Sequence, residues 1–385
     1  MDPFPERINS KLPKTGTSVF AVMSGLAKEH NAINLSQGFP DFPVSEHLIN
    51  LVHKYMQQGQ NQYAPMPGVP ALREAIAEKT QFLYSASYNP ETEITVTAGA
   101  TQAIFTAITA FIREEDEVIV FEPAYDSYLP AIKLCGATPI SIQLKLPDYH
   151  IDWNEVKRKI NQRTKMIIIN SPHNPTGSIL SAADLTELDK LTRNSGIIVL
   201  SDEVYEHIIF DGHVHQSVCR YPHLASRSLV MCSFGKTFHA TGWKTGYCLA
   251  PENLMKEFRK THQFVVFAVN TPAQHAIAEY IQNKDNYLNL GSFYQEKRDY
   301  FLKLVSGSRF KAIPARGTYF QVLDYSNISD EPEMDFAVKL TKDFGVASVP
   351  NSYFYNNSEN NQTLRFCFAK SNQTLEKAAE ILCRI

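Results

Sequence analysis

Hydrophobic residues in the middle of the chain follow two alternating patterns. Short runs rich in Val and Ile are typical of buried strands, and the segments between them repeat apolar residues every three or four positions, as amphipathic helices do. Five strands are predicted, at residues 94–97, 117–121, 165–170, 197–202 and 229–233. Helices are predicted at residues 68–84 and 182–194. Strands that alternate with helices favour a mainly parallel sheet of the α/β class.

The pattern changes after about Tyr280, where a long helical stretch is predicted to continue through Val305. Three further elements are predicted after it: strands at 318–323 and 364–369, with a helix at 334–344 between them. Strands and helices that do not alternate regularly indicate a smaller α+β unit.

Composition excludes several protein classes. The 385 residues are 44% hydrophobic and 20% charged, which is typical of a globular protein and not of a disordered, collagenous or disulfide-rich chain. The formal net charge of −3 does not favour binding to nucleic acid or to an anionic membrane. The uncharged stretch 94–112 is studded with threonines and is predicted to be a strand, a turn and a helix. We therefore expect small-molecule ligands, with no nucleic acid and no membrane as partners.

The cysteines and histidines carry no metal-site spacing. Six cysteines are scattered without a Cys-x-x-Cys pair, which favours reduced thiols. His207, His213, His215 and Cys219 form a loose group that we interpret as ordinary loop residues, so no metal is expected. The first residues contain acids and prolines where a signal peptide has basic residues and an apolar stretch. These features together predict a cytoplasmic protein.

Polar motifs follow four of the predicted strands. Ligands of an open parallel sheet bind beyond the carboxyl ends of its strands. Three of the motifs are Ser-Pro-His-Asn-Pro-Thr-Gly at 171–177, Asp-Glu-Val-Tyr at 202–205 and Ser-Phe-Gly-Lys at 233–236. The fourth motif contains Ala100 and Thr101 at the start of a predicted helix, where free backbone N–H groups and the helix dipole favour an anion such as phosphate.

These groups suit pyridoxal phosphate (PLP), which carries an aldehyde, a phenolic oxygen, a pyridine nitrogen and a phosphate. We expect Lys236 to form a Schiff base, the internal aldimine, with the aldehyde and later to move protons. Asp202 is expected to pair with the pyridine nitrogen, so that the ring accepts electrons. The other expected cofactor contacts are Tyr205 and Asn174 at the phenolic oxygen, Tyr125 on the ring face, and Thr101, Ser233 and Lys244 at the phosphate.

Motifs spread over nearly the whole chain occur together in one known family. They are Asn-Leu-Ser-Gln-Gly-Phe-Pro-Asp at 34–41, Asn-Gln-Tyr-Ala-Pro at 61–65 with Gly68, the segments 97–102, 170–177, 201–205 and 233–236, Thr-Gly-Trp-Lys-Thr-Gly-Tyr at 241–247, and Arg365. In this order they resemble the class I/II aminotransferases of PLP fold-type I. Several of them are similar to the methionine, kynurenine and glutamine-phenylpyruvate branch.

The resemblance implies a fold and an assembly. The fold is a mainly parallel, seven-stranded sheet between helices, with a smaller α+β domain built from both termini. The implied large PLP-binding domain is 46–280, and the small domain is 1–45 with 281–385. A homodimer with shared active sites is also implied, in which Tyr63 of one subunit reaches the phosphate bound by the other.

The resemblance also implies substrate contacts. Arg365 would grip the substrate carboxylate, and the backbone N–H of Gly38 would assist. Phe20 and Phe267 would line the side-chain pocket, Phe267 from the partner subunit. Lys244 stands where the aspartate aminotransferases have arginine, and no arginine that selects acidic substrates is found. An uncharged substrate is therefore expected.

Structural explanations exist for single residues. Lys236 could be an ordinary lysine, and lysines usually lie at the surface. It could also end a nucleotide-binding P-loop, but that motif requires glycine where the chain has Val230. Asp202 could cap a helix, and Asn174 could serve only its turn. Arg365 could be an edge-strand charge and Tyr63 a surface aromatic. The placement of Lys236, Asp202 and Asn174 at the ends of separate strands favours catalysis.

The predicted reaction is a PLP-dependent transamination with ping-pong kinetics. An uncharged L-amino acid, such as methionine, glutamine, an aromatic or an aliphatic one, would exchange its amino group with a 2-oxo acid through Lys236. The alternative on the same residues is a cysteine-conjugate β-lyase, which would eliminate a sulfur leaving group. The residues leave open which donor and acceptor are preferred.

Overall fold

The computed structural model describes residue 6, residues 8–13 and residues 15–385. Its strands are β1 (Ile33–Asn34), β2 (Ile94–Thr97), β3 (Glu117–Glu122), β4 (Thr138–Gln143), β5 (Thr164–Asn170), β6 (Ile198–Asp202), β7 (Ser228–Ser233), β8 (Gly246–Leu249), β9 (Lys311–Ala312), β10 (Phe320–Asp324), β11 (Val346–Ala347), β12 (Val349–Pro350) and β13 (Thr363–Cys367). Its α-helices are α1 (Val19–Glu29), α2 (Glu46–Gln57), α3 (Pro70–Tyr84), α4 (Gly99–Phe111), α5 (Tyr128–Leu134), α6 (Trp153–Lys159), α7 (Ala182–Thr192), α8 (Pro222–Ala225), α9 (Phe234–Thr237), α10 (Glu252–Val265), α11 (Thr271–Tyr280), α12 (Asp285–Leu288), α13 (Leu290–Val305), α14 (Glu333–Lys339) and α15 (Asn372–Leu382).

Seven strands form the central sheet, in the order β2-β8-β7-β6-β5-β3-β4. The neighbours from β7 to β4 pair in parallel, whereas β8 is antiparallel to both β2 and β7. Since β2 and β7 both oppose β8, they run in the same direction. The carboxyl ends of β2, β5, β6 and β7 therefore meet at one edge of the sheet. The predicted α/β class with a mainly parallel sheet is confirmed, although β4 and β8 were not among the predicted strands.

Apolar cores cover both faces of this sheet. Successive side chains of a strand point to opposite faces. In β5, Ile167 and Ile169 belong to a core with α3, α7 and α11, whereas Met166 and Ile168 belong to a core with α4, α5 and α10. A strand that is apolar on both faces is typical of a buried parallel sheet. The sheet is thus a rigid support for the residues at its edge.

A separate apolar core packs around a four-stranded antiparallel sheet, in the order β12-β13-β10-β9. Val19 and Met23 of α1 lie in this core together with Leu375 and Leu382 of α15. β1 pairs in parallel with β11 beside it. Segments from near both ends of the chain therefore share one core. The domain limits of 46–280, and of 1–45 with 281–385, stay a prediction.

The helical stretch predicted after Tyr280 is interrupted. It consists of the short helix α12 and the long helix α13, and α12 begins only at Asp285. The Asn286 side chain donates to the carbonyl of Tyr280 at 2.7 Å, and the Asn283 side chain accepts from the backbone N–H of Asp285 at 3.1 Å. Because these asparagines satisfy backbone groups locally, they compete with a continuous helix.

The strand predicted at 318–323 begins later than expected. Thr318 has a positive φ of 65°, which a strand does not accommodate, and β10 starts at Phe320. The helix predicted at 334–344 is α14 followed by a π-helical turn, Leu340–Phe344. The turn at Thr318 carries a residue of the candidate site, described below.

Candidate active site

A pocket of about 260 Å³ opens where the carboxyl ends of the central strands meet. The predicted residues that line it are Phe20, Gly38, Ala100, Thr101, Tyr125, Asn174, Asp202, Tyr205, Ser233, Lys236, Lys244 and Arg365. Two predicted residues, Tyr63 and Phe267, lie outside it. The pocket thus combines side chains from segments that are far apart in the sequence.

Lys236 lies on α9, directly after β7. Its Nζ donates to the carbonyl oxygen of Gly38 at 3.2 Å and to the Tyr319 hydroxyl oxygen at 2.9 Å. Burial lowers the pKa of Lys236 to about 8, because a desolvated site disfavours the ammonium form, and the charges of Lys244 and Arg365 act in the same direction. Near neutral pH a usable fraction of the amine is therefore unprotonated, as a nucleophile requires.

Asp202 is the buried carboxylate at the end of β6. Its Oδ2 accepts a hydrogen bond from the Tyr128 hydroxyl at 2.5 Å, and its Oδ1 accepts one from the backbone N–H of Val204 at 3.3 Å. Burial raises the pKa of Asp202 to about 6, although both hydrogen bonds oppose this shift. A cation next to this carboxylate would favour its charged form, so Asp202 suits a protonated ring nitrogen as partner.

The start of α4 forms a cradle for an anion. Lys244 adopts a left-handed backbone conformation, φ 52° and ψ 48°, and its Nζ lies 3.3 Å from where a Cβ on Gly99 would be. At Gly246 a Cβ would lie 2.5 Å from the Cys232 carbonyl oxygen and 3.1 Å from the Ala100 nitrogen, so glycine is needed for β8 to approach α4. Backbone N–H groups at a helix start beside a lysine suit a phosphate.

Tyr125 and Ser233 complete this side of the pocket. The Tyr125 hydroxyl lies 3.1 Å from Thr101 Oγ1, and its ring meets the Tyr128 ring edge-on at 5.6 Å. Ser233 ends β7 and lines the pocket next to α9. Tyr125 thus contacts both Thr101, at the start of α4, and Tyr128, whose hydroxyl is hydrogen-bonded to Asp202.

Arg365 is a buried guanidinium on β13, with 1% of its surface exposed. It donates to Asn174 Oδ1 at 2.8 Å and to the Ser36 carbonyl at 3.1 Å, while its Nε has no partner among the described residues. None of the described carboxylates forms an ion pair with it. Burial lowers the pKa of Arg365 to about 10. A buried cation without a counter-ion favours binding of an anionic group.

Aromatic rings surround this guanidinium. Its central carbon lies 3.9 Å from the centre of the Phe320 ring and 5.2 Å from those of Phe20 and Phe354. Cation–π contacts of this kind partly replace the lost hydration. The planar guanidinium is therefore held in one orientation, which favours two-point binding of a carboxylate.

Tyr205 lines the pocket near Lys236 and belongs to the apolar core around the four-stranded sheet. Its ring meets the Tyr319 ring edge-on at 5.1 Å, and Lys236 Nζ lies 5.7 Å from the ring centre. Burial raises the pKa of Tyr205, so its hydroxyl keeps its proton. Asn174 is held from behind, because its backbone N–H donates to Asn170 Oδ1 at 2.8 Å. Both side chains can therefore donate hydrogen bonds into the pocket.

Tyr63 and Phe267 lie together on the surface. Their rings contact edge-on at 5.5 Å, and their surfaces are 84% and 49% exposed. Phe264 nearby in sequence is 85% exposed. Large exposed aromatics in one place are typical of an interaction surface.

Some residues in or next to the pocket were not predicted from the sequence. Tyr128 and Tyr319 hydrogen-bond to Asp202 and Lys236, and Gln37 and Phe320 line the wall. Tyr128 could have been found, because it follows Tyr125 by three positions at the start of a helix. Tyr319 left no such signal, since it lies in a stretch that was predicted to be an ordinary strand.

Two histidines of the loose group near residue 210 pair with different carboxylates. His215 Nε2 lies 2.7 Å from Glu203 Oε2, and His207 Nε2 lies 3.5 Å from Glu206 Oε1. The described residues contain no group of three His, Cys, Asp or Glu side chains that could hold a metal ion. Within the described part of the chain, no helix has the length and apolar character to cross a membrane.

Comparison with known proteins identifies the family that carries this site. A family model described as "Aminotransferase class I and II" matches residues 30–382. The chain belongs to the class I and II aminotransferases. A methionine aminotransferase from Escherichia coli (strain K12) is 47% identical to it over 374 residues, which are 97% of each chain. A kynurenine–oxoglutarate transaminase from Dictyostelium discoideum is 33% identical, over 96% of this chain and 94% of the relative.

Solved structures of aminotransferases share the whole fold. An Escherichia coli structure with a described methionine aminotransferase function superposes with a TM-score of 0.97 at 46% identity, over 99% of this chain and 100% of the other. An N-succinyldiaminopimelate aminotransferase from Mycobacterium tuberculosis gives a TM-score of 0.95 at 34% identity, over 98% and 100%. The predicted family, fold and amino-acid transamination are therefore confirmed, and this aminotransferase acts on amino acids and oxo acids.

Proposed function

We propose that this aminotransferase uses PLP to move the amino group of an uncharged L-amino acid, methionine among them, to a 2-oxo acid. The observation that carries the proposal is that one pocket holds a desolvated amine on Lys236, a buried carboxylate on Asp202 and a guanidinium on Arg365 that has no carboxylate partner and a free Nε among the described residues. These are the partners needed by an aldehyde, a ring nitrogen and a substrate carboxylate.

The donor set fits PLP. When bound, this cofactor supplies an aldehyde that condenses with amines and a ring that stabilises the negative charge left when an α-proton departs. Asp202 would face the ring nitrogen, and Asn174 and Tyr205 would donate to the phenolic oxygen. Tyr125 would lie on the ring face. The remaining contacts would hold the phosphate: Ala100, Thr101, Ser233 and Lys244.

The chain's own residues suit both half-reactions. Arg365 would bind the substrate carboxylate by two parallel hydrogen bonds, assisted by the backbone N–H of Gly38 and the amide of Asn174. Lys236 would take the α-proton on Nζ and release it elsewhere in the pocket, as an amine with a pKa of about 8 can do in both directions. Because the oxo acid also carries a carboxylate, the same Arg365 would orient both substrates in turn. The first product would then have to leave before the second substrate binds, as in ping-pong kinetics.

The substrate side chain would meet mostly apolar walls. Phe20 and Phe320 line the pocket next to Arg365. Phe20 also contacts Tyr353 and Phe354, at ring distances of 6.2 and 6.1 Å. Such walls favour an uncharged side chain, and the names of the methionine and kynurenine relatives agree with that choice.

A homodimer would complete each site. The exposed Tyr63 and Phe267 suit an interface in which Tyr63 reaches the phosphate and Phe267 the substrate pocket of the partner. We further propose a large cofactor-binding domain of 46–280 and a small domain of 1–45 with 281–385, supported by the separate apolar cores. A cytoplasmic location agrees with six cysteines that are all free.

A donor panel tests the proposed function. The purified chain is loaded with PLP and incubated with methionine, glutamine, leucine, phenylalanine and aspartate, each with several 2-oxo acids, and kcat/KM is ranked. We expect a new amino acid from the uncharged donors and little from aspartate. Pyruvate and ammonia formed from a cysteine conjugate without an acceptor would instead favour elimination.

The variant Lys236→Ala is the second arm of this test. We expect turnover to fall by orders of magnitude, because no other described amine lies where Lys236 Nζ does. The variant should still fold. Borohydride reduction of the parent should attach a pyridoxyl group to the peptide that contains Lys236. An unchanged rate in the variant, or no pyridoxyl mass on that peptide, would contradict the proposal.

A further inference from the structure

Tyr319 touches the amine on which the proposed reaction depends. Its hydroxyl oxygen lies 2.9 Å from Lys236 Nζ and 2.6 Å from the carbonyl oxygen of Gly38. Lys236 Nζ also lies 3.2 Å from that carbonyl oxygen. Three polar groups thus form a closed triangle. Two of them belong to residues that line the pocket, and the third is a phenol with no role in the function proposed so far.

The directions of these hydrogen bonds follow from the donors available. A carbonyl oxygen only accepts, so the single proton of Tyr319 goes to Gly38, and Tyr319 must accept from Lys236. Burial raises the pKa of Tyr319 well above its ordinary value, which keeps that proton on the phenol. Lys236 therefore donates to two acceptors, the Tyr319 hydroxyl and the Gly38 carbonyl.

A neutral amine has two N–H groups and one lone pair. Because the Gly38 and Tyr319 oxygens lie only 2.6 Å apart, both acceptors lie on one side of Nζ, and the lone pair is directed away from them. If Nζ accepts a proton there, the new ammonium keeps both hydrogen bonds and carries the proton in the same direction. The proton can therefore be taken up and released without loss of either hydrogen bond.

The position of Tyr319 is fixed by the backbone around it. Thr318 has a φ of 65°, and its N–H donates to the Ile208 carbonyl at 3.0 Å. A Cβ on Gly317 would lie 2.8 Å from that same carbonyl oxygen, so only glycine allows the close approach. The carbonyl of Tyr319 accepts from Phe368 at 3.0 Å. The phenol is thus carried by a turn that is tied to two neighbouring segments.

We propose that Tyr319 is a positioning residue for Lys236: together with the Gly38 carbonyl it accepts hydrogen bonds on one side of the free amine and orients the lone pair that moves the proton. This inference rests on the proposed function, because that function makes Lys236 the proton carrier. It adds a residue that neither the motifs nor the comparisons assign.

The test compares Tyr319→Phe with Tyr294→Phe. Tyr294 is a matched control, because it is equally buried, its ring lies 5.6 Å from the Tyr319 ring, and its hydroxyl has no partner among the described residues. Cofactor-free protein is treated with an amine-reactive reagent across a pH series, and modification of Lys236 is followed by peptide mass spectrometry. The midpoint of the rate profile reports the pKa of the amine.

We expect a midpoint near 8 for the parent and for Tyr294→Phe. In Tyr319→Phe the midpoint should fall by about one pH unit, because an acceptor stabilises the ammonium form more than the amine. In the PLP-loaded enzyme, kcat of Tyr319→Phe should fall about 10-fold or more with little change in KM, since the amine is misoriented while substrate binding remains.

An unchanged midpoint, a kcat within about twofold of the parent, or equal shifts in Tyr294→Phe would overturn the inference. If Tyr319→Phe does not fold, Tyr319→3-fluorotyrosine keeps the shape and weakens the oxygen as an acceptor, and a smaller shift in the same direction is expected. If the midpoint shifts in Tyr319→Phe as expected but the PLP-loaded parent does not transaminate, the proposed function is wrong. The inferred contact between Tyr319 and Lys236 would still hold.

Discussion

Tyr128 donates its hydroxyl proton to Oδ2 of Asp202 at 2.5 Å, and both side chains are buried. The contact joins the start of α5 to the end of β6. Without it, the backbone N–H of Val204 would be the one remaining donor to the Asp202 carboxylate among the described residues. The relationship links protein stability and cofactor binding at a single carboxyl group, and two predictions follow from it.

In Tyr128→Phe the pKa of Asp202 should rise further above 6, because a hydrogen bond to the charged form is lost. A carboxyl group that is more often protonated pairs less well with a protonated ring nitrogen. We expect the Kd for PLP at neutral pH to increase about 10-fold, measured by absorbance titration. Tyr88→Phe, which removes a buried hydroxyl near Cys219, should leave the Kd unchanged. Equal affinities in parent and Tyr128→Phe would contradict this role.

Asp202→Asn should stabilise the cofactor-free protein while it abolishes activity. The pKa of Asp202 is raised from 3.8 to about 6 by folding, so the folded state binds the proton more tightly. The proton on Asp202 contributes its full stabilisation below the pKa of the unfolded chain, and this contribution is lost as the pH rises through the pKa of the folded protein. The stability gain of Asp202→Asn should therefore grow between roughly pH 4 and 7, by up to about 3 kcal/mol. Urea unfolding across this range checks it, and a gain that is largest in acid would refute it.

Arg365→Lys should weaken the binding of both substrates without affecting the binding of the cofactor. Lysine cannot supply two parallel hydrogen bonds to a carboxylate. We expect kcat/KM to fall about 100-fold for the amino acid and for the oxo acid, mainly through KM, while the PLP absorbance stays the same. Arg384→Lys, at an exposed ion pair with Glu380, is the control and should change neither. Parental KM values in Arg365→Lys would contradict a role of Arg365 in substrate binding.

The buried pair Lys79–Glu206 is predicted to be a major stability determinant. Lys79 Nζ lies 2.6 Å from Glu206 Oε1, and both side chains are buried. Lys79→Met would leave an unpaired buried carboxylate and should cost about 3–5 kcal/mol, whereas Lys79→Met with Glu206→Gln should recover much of it. Lys190→Met, at the exposed pair with Glu187, should cost at most about 1 kcal/mol. Urea midpoints measure all of these, and equal losses at the buried and the exposed pair would contradict the prediction.

The same pair gives a pH dependence. Burial alone would raise the pKa of Glu206, but the charge of Lys79 lowers it well below its ordinary value of 4.5. A carboxylate of this kind stabilises the fold above pH 4.5, and the contribution is lost as the pH falls. Compared with Glu206→Gln, the parent should therefore lose more of its stability on going into acid.

Phe267→Glu should disrupt the proposed dimer. Phe267 is 49% exposed and contacts Tyr63, and Phe82 is 50% exposed on α3 and therefore a matched control. We expect the parent and Phe82→Glu to have twice the 43.5 kDa chain mass in light scattering, and Phe267→Glu to approach the single chain mass. PLP affinity should fall with dissociation, because Tyr63 would no longer reach its partner. A monomeric parent with full activity would exclude a shared site.

The strand-end motifs of this chain could be located from the sequence because they are local. Asp202 and Lys236 closely follow the apolar runs 197–200 and 229–232, and the carboxyl ends of parallel strands meet at one edge. In the central sheet, the strands missed were β4, which contains Pro139 and lies at the sheet edge, and the short β8. Neither has a clear alternation of apolar and polar residues, because proline and glycine weaken that pattern.

By itself, the sequence determined the α/β class, the family and most of the pocket residues, since periodicity and motif order are properties of neighbouring residues. Only the tertiary structure decided which groups contact the amine and the carboxylate. Gly38 and Tyr319 are 281 residues apart, and Tyr128 and Asp202 are 74 apart, yet each pair is hydrogen-bonded. Such contacts depend on how separate cores pack against one sheet edge, and no local pattern of side chains encodes that distance.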